Sequence, residues 1–183
     1  MDDLFDTVKG GQDIFKKILS YIPGFNGYIE RINRRAADKL LRDQVALKYS
    51  ELAERTSRLQ KDVADAGEID FLDEVDSIRL KLRTFSDRIK NASYGYSGFF
   101  DAVKINEKEL EQIYTYDAAF FELADQISNG LDNLEAAIGG DGLKAAIRAV
   151  NELALQAGET FDHRYQVITG GESETGGEIT PAN

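Results

Sequence analysis

The sequence predicts an all-α protein, an antiparallel up-down four-helix bundle of coiled-coil type with a short extra N-terminal amphipathic helix. The 183 residues contain only two prolines, Pro23 and Pro181, so the strongest helix breaker is absent from the long stretch between them. Clusters of glycine divide that stretch into four long segments. In each segment apolar residues recur every three or four positions, which is the period of one helix face and not of a strand.

The short N-terminal helix is predicted over residues 13–22, with the sequence DIFKKILSYI. Asp13 suits the N-cap position, and Pro23 followed by Gly24 ends the helix. Four longer helices are predicted over residues 28–66, 69–92, 107–138 and 142–169. In the second of these, apolar residues are spaced alternately by four and three, as in a heptad seam.

Three regions follow from this pattern. We expect an N-terminal amphipathic segment at 1–27, a helical bundle at 28–169 and a flexible acidic, glycine-rich tail at 170–183. At about 1.5 Å per residue the first bundle helix is longer than the second. The N-terminal helix is therefore expected to cover the part of the first bundle helix that projects.

Composition excludes several classes of function. Cysteine is absent and His163 is the one histidine, so disulfide frameworks and thiolate metal sites are excluded, and we expect no cofactor. The net charge of −11 argues against nucleic acid as a partner. The sequence has no apolar run long enough to span a bilayer and no signal-peptide pattern, so a cytoplasmic location is expected, with a membrane-peripheral location as the alternative.

A basic cluster stands out against this acidic background. Residues 16–48 contain eight basic and three acidic residues, a net charge of +5. This pattern favours contact with an anionic lipid surface or an acidic protein partner. Alternatively, the positive charge pairs with acidic helices of the same chain or of a second copy, giving a homo-oligomer. The predicted contact residues are Lys16, Lys17, Arg31, Arg34, Arg35 and Arg42.

The connection between the second and third bundle helices is unusually aromatic. Its sequence SYGYSGFFD, at 93–101, places four aromatic residues within seven positions. They are expected either to cover the end of the bundle or to contact a partner. The aromatic residues are Tyr94, Tyr96, Phe99 and Phe100.

Asp117 is an acidic residue on the otherwise apolar seam of the third bundle helix. A buried carboxylate requires a partner, and counting residues from the turns places Arg164 and Lys48 at the same level. We predict a buried polar pair of Asp117 with Arg164, or alternatively with Lys48. A catalytic site of Asp117 and His163 is a remote alternative.

Two segments, SYGYSGFFD and RRAADKLLRD at 34–43, resemble segments of bacterial helical proteins. That resemblance implies a helical fold and no particular activity. A long helical hairpin that follows a short amphipathic helix is also similar in architecture to membrane-remodelling coiled-coil proteins of the phage-shock class.

These patterns together predict a non-enzymatic helical scaffold or interaction protein that docks on an anionic membrane surface through its basic N-terminal end. The alternative is a soluble, self-associating protein–protein adaptor of a helical assembly. An enzyme that uses buried Asp117 and His163 is the remote alternative.

Overall fold

The computed structural model describes residues 13–25, 34–92 and 108–169, and these residues form five helices packed against one another. Within those ranges there is no strand, so the predicted all-α class is confirmed. A short 3₁₀ helix, Ile69–Phe71, precedes the third helix. The helices are α1 (13–21), α2 (Arg34–Asp65), α3 (Leu72–Asn91), α4 (Lys108–Ala136) and α5 (Leu143–Thr169).

Glycines with positive φ shape the two described turns between long helices. Gly67 has φ +80°, and its amide donates to the carbonyl of Ala64 while the Glu68 amide donates to the carbonyl of Val63. This is a Schellman C-cap, which ends α2 and requires a left-handed residue that glycine adopts without strain. Gly139 has φ +78° in the turn between α4 and α5.

The long helices form two antiparallel hairpins, α2 with α3 and α4 with α5. In the first hairpin, Arg42 near the start of α2 donates to the carbonyls of Ile89 and Lys90 near the end of α3. Gln60 near the end of α2 donates to the carbonyl of Leu72 at the start of α3. In the second hairpin, Asp117 and Arg164 are in contact at one level and Gly130 and Val150 at another.

Gly130 explains how closely α4 and α5 approach. A Cβ atom at this position would lie 2.9 Å from Cγ2 of Val150, closer than two such carbons pack. Glycine inside a helix costs roughly 0.5–1 kcal/mol relative to alanine. Here the missing side chain lets the two helix backbones approach.

The two hairpins pack with like-directed helices side by side. Helix α2 contacts α4 and helix α3 contacts α5. Going along α2, Lys48 and then Arg55 contact Asp125 and then Asp132 of α4, so these two helices run in the same direction. Because each hairpin is antiparallel, α3 and α5 also run in the same direction.

An aromatic layer fills the centre of the core, with one ring from each long helix. The Tyr49 and Phe85 ring centroids are 4.1 Å apart, and Phe85 lies 5.6 Å from Phe120 and 6.2 Å from Phe161. All four side chains are buried. The Tyr49 hydroxyl also donates to the carbonyl of Phe120 at 3.0 Å, which gives this apolar layer one directional contact.

Phe85 touches the other three rings, so truncating it should cost more stability than truncating an exposed apolar residue. We expect Phe85→Ala to lower the free energy of unfolding by about 3–5 kcal/mol, through lost burial and a residual cavity. Leu47→Ala, on the exposed surface of α2, is the control and should change stability by less than about 0.5 kcal/mol. Urea unfolding followed by circular dichroism measures both, and equal losses would contradict the central role of the layer.

Candidate functional site

A buried arginine joins three of the long helices. Arg164 of α5 has no solvent exposure. Its Nε donates to Oδ1 of Asp117 on α4 at 2.6 Å, and its Nη2 donates to Oδ1 of Asp38 on α2 at 2.7 Å. Both aspartates are buried, so a single cation is shared between two carboxylates inside the protein.

Arg42 extends this network to the fourth long helix. Its Nε donates to the second oxygen of Asp38 at 2.8 Å, and its Nη1 donates to the carbonyls of Ile89 and Lys90. Those carbonyls belong to the last turn of α3, where no amide of the same helix is available to bind them. A cation at a helix C-terminus also interacts favourably with the helix dipole. We call Asp38, Arg42, Asp117 and Arg164 the charge network.

The charge network has its polar atoms satisfied: among the described residues, no buried side-chain nitrogen or oxygen lacks a hydrogen-bond partner. Removing one member of such a pair is costly, because it leaves the other charge buried without a counter-ion. The network therefore disfavours any shift in register that would separate its members. The contacts of the charge network therefore hold the long helices together.

The structure places the predicted basic cluster in two different environments. Arg34 is buried, and the Arg42 side chain is only 12% exposed because it binds Asp38. Lys16, Lys17 and Arg35 are exposed; Lys16 forms an ion pair with Asp13, and Lys17 forms one with Glu122 of α4. Fewer of the predicted contact residues are therefore available on the surface than the sequence indicates, because Arg34 is buried and Arg42 is largely buried against Asp38. Arg31 lies outside the described residues.

The remaining predicted positions are also separated. Tyr94, Tyr96, Phe99 and Phe100 lie outside the described residues. Lys48, the alternative partner for Asp117, instead contacts Asp125, two helical turns further along α4. His163 is exposed, in contrast to the fully buried Asp117, so the structure does not bring these two side chains into a common buried site.

Helix α1 and the turn after it lie against α2 and α4. Ile18, Ile22 and Phe25 are buried, and the Tyr21 ring stacks on Phe121 with a centroid distance of 4.7 Å. The polar contacts converge on Asp125 of α4. It accepts hydrogen bonds from the Tyr21 hydroxyl at 2.7 Å and from Lys48 Nζ at 2.6 Å.

These contacts shift two pKa values in opposite directions. Burial raises the pKa of Asp125, but the hydrogen bonds from Lys48 and Tyr21 and the charge of Lys48 together outweigh burial, so its pKa is below the ordinary value. Burial, the hydrogen bond to Asp125 and the charges of Asp125 and Glu122 raise the pKa of Tyr21 to about 12. The ionised carboxylate and the neutral phenol are therefore the forms that hold α1 in place.

A groove lies between α3 and α5, with a volume of about 300 Å³. Leu80 and Leu155 line it and are unusually exposed for large apolar residues, at 50% and 42%. Phe85 and Ala154 form buried parts of the lining. The lining also contains Ser77, Lys81, Thr84, Arg88 and Gly158.

The periodicity of the helices does not predict this groove. Leu80 and Leu155 are outside the apolar seams of their own helices, so helix periodicity alone gives no reason to group them. The available signal was the presence of large apolar residues off the seam. These residues can be recognised as parts of one surface only when α3 and α5 are known to be neighbours.

We expect Arg164→Met to lower the free energy of unfolding by about 3–5 kcal/mol, because it leaves two buried carboxylates without their shared cation. Adding Asp117→Leu to that variant should recover part of the loss, since the apolar residue needs no counter-ion. Lys39→Met removes an exposed ion pair with Asp43 and should cost less than about 1 kcal/mol. Urea unfolding measures all three, and a similar loss for Arg164→Met and Lys39→Met would contradict the assigned role.

Asp125 should make the stability depend on pH. Its pKa in the folded protein lies below the ordinary value of 3.8, so its contribution is fully present above about pH 4 and is lost as the pH falls through the lower folded-state pKa. We therefore expect wild type to be more stable than Asp125→Asn at neutral pH, with a difference that shrinks below about pH 4. Chemical unfolding across pH tests this, with the exposed Asp62→Asn as control; a difference independent of pH would exclude the carboxylate charge as its source.

Within the described ranges, no helix is long and apolar enough to cross a membrane, and no group of three or more acidic or histidine side chains is placed to hold a metal ion. No protein-family model, curated protein or solved structure matches this chain.

Proposed function

We propose that this chain is a non-enzymatic helical scaffold that acts by binding a protein partner. We further propose that its architecture is a four-helix bundle of two antiparallel hairpins, α2–α3 and α4–α5, with α1 as the extra helix. The α2–α4 and α3–α5 contacts that join the hairpins support this arrangement.

The observation that carries the binding proposal is the groove between α3 and α5. Leu80 and Leu155 expose about half of their surface at a concave site next to Phe85. Exposed large apolar side chains at a concave surface are typical of protein interaction sites. The groove is open along a helix pair, which suits an elongated partner.

The charge network supports a role without catalysis. Asp117, the acidic residue proposed for a catalytic site, has no solvent exposure and is bound by Arg164. His163 is exposed to solvent. Asp117 and His163 thus lie in different environments, which does not favour a common substrate site. Both carboxylates of the charge network bind arginine.

Membrane docking through the basic N-terminal end has weaker support than protein binding. Of its described contact residues, Lys16, Lys17 and Arg35 are exposed, but Arg34 is buried and the Arg42 side chain is only 12% exposed. A lipid surface would therefore meet fewer positive charges than the sequence predicts, and each such charge adds only about 1 kcal/mol of attraction.

Photo-crosslinking tests the proposal in cells that express the full chain. A photoreactive phenylalanine analogue replaces Leu80 or Leu155 in the groove, or Leu47 as a matched control on the exposed face of α2. We expect a discrete protein adduct from positions 80 and 155 and not from position 47. Mass spectrometry then identifies the partner.

Equal labelling from all three positions, or no adduct from positions 80 and 155, would contradict a partner site in the groove. Flotation with anionic and neutral vesicles provides the complementary measurement. Salt-sensitive binding to anionic vesicles that survives Leu155→Glu would favour the membrane alternative.

A further inference from the structure

The scaffold contains two pairs of like-directed neighbouring helices, α2 with α4 and α3 with α5. The first pair is covered by α1 and the turn after it. Their buried side chains include Ile18, Ile22 and Phe25. This intramolecular contact shows which kind of ligand such a pair accepts: a short amphipathic helix laid on the pair with its apolar face inward.

Charged and polar side chains also contribute to the contact between α1 and the α2–α4 pair. The helix α1 brings hydrogen-bond donors, Lys17 and the Tyr21 hydroxyl, and the surface below it supplies acidic acceptors, Glu122 and Asp125. Ligand and surface are complementary in charge. Complementary charge selects one partner over another more than it adds affinity.

The groove between α3 and α5 offers the same apolar platform without a described helix on it. Leu80 and Leu155 are its exposed apolar residues, and Phe85 lies below them. A Cβ atom at Gly158 would have no heavy atom within 4 Å, so the lining is open at this position. A volume of about 300 Å³ is at the small end for a ligand site and suits one or two anchoring apolar side chains.

The second groove differs from the first in the charged residues that line it. Its charged lining residues are Lys81 and Arg88, both basic, on a chain whose net charge is −11. Lys81 donates to the hydroxyl of Ser77. Arg88 lies 4.7 Å from the Phe161 ring centroid and forms an ion pair with the half-exposed Asp162, which marks one end of the groove.

We propose that the α3–α5 groove binds an amphipathic α-helix of another protein whose polar face is acidic. Apolar residues of that helix pack between Leu80 and Leu155 and reach Phe85, and its carboxylates face Lys81 and Arg88. This inference rests on the proposed protein-binding function and adds the chemistry of the partner.

A second copy of α1 is a poorer occupant than an acidic helix. It carries Lys16 and Lys17 on its polar surface, which would lie near the basic lining of this groove. Like charges in contact disfavour binding. On the α2–α4 pair, Lys17 of α1 instead forms an ion pair with Glu122.

Fluorescence anisotropy with two synthetic peptides tests the inference on the full chain. Both peptides are held helical by a hydrocarbon staple and have leucine on one face; the polar face carries glutamate in one and lysine in the other. We expect the glutamate peptide to bind about tenfold more tightly than the lysine peptide, with a difference that decreases in high salt.

Matched variants connect that preference to the groove. Lys81→Glu should remove most of the preference for the glutamate peptide, whereas Lys61→Glu, an identical charge change at an exposed site on α2, should leave it. Leu155→Ala should weaken binding of the glutamate peptide several-fold, and Leu47→Ala should not. All four positions are on the surface or partly exposed, and circular dichroism verifies that each variant is folded.

Each alternative result contradicts a defined part of the inference. Equal binding of both peptides that still depends on Leu155 overturns the acidic preference and leaves the proposed function standing. Binding that none of the groove variants alters overturns the inference, and the crosslinking result then decides the proposed function separately. A change in the mass of the unliganded protein on Leu155→Ala, measured by light scattering, identifies a second copy as the occupant and also overturns it.

Discussion

Arg164 is a cation without solvent exposure, and a buried cation is tolerated only when carboxylates and hydrogen bonds replace the lost water. Its two aspartate partners come from different helices, Asp117 from α4 and Asp38 from α2. Arg42 binds the same Asp38 and reaches the last carbonyls of α3. The relative positions of all four long helices therefore depend on keeping the charge network paired. A slide of any helix by one turn would separate groups that are costly to leave unpaired.

The aromatic layer lies directly beside this charge network along the helices. Asp117 precedes Phe120 by three residues, and Arg164 follows Phe161 by three, so each pair spans about one helical turn. The two layers have different physical roles. Burial of the four rings supplies non-directional stabilisation that tolerates small shifts. The charge network has strict geometry and little net benefit over apolar packing, so its contribution is to select one register.

That fixed register creates the two surfaces on which the proposed function depends. Because like-directed helices are neighbours, the scaffold has one groove between α2 and α4 and another between α3 and α5. Glu122, Asp125 and Lys48 lie at the first, where α1 lies, and Lys81 and Arg88 line the second. A strongly acidic chain thus contains a local site of opposite sign. This local site is the one that the proposed acidic partner would contact.

Local sequence patterns predict the all-helical class, the approximate ends of the helices and the candidate residues for a buried ion pair. Helix periodicity and glycine placement are local properties, and counting residues from the turns puts Asp117 level with Arg164. The packing of the helices sets three further features: Asp38 shares Arg164, Arg42 is largely buried against Asp38, and Leu80 and Leu155 line the same groove. The physical reason is that periodicity describes the faces of a single helix. Which faces meet depends on how two hairpins pack, and several packings bury the same apolar stripes.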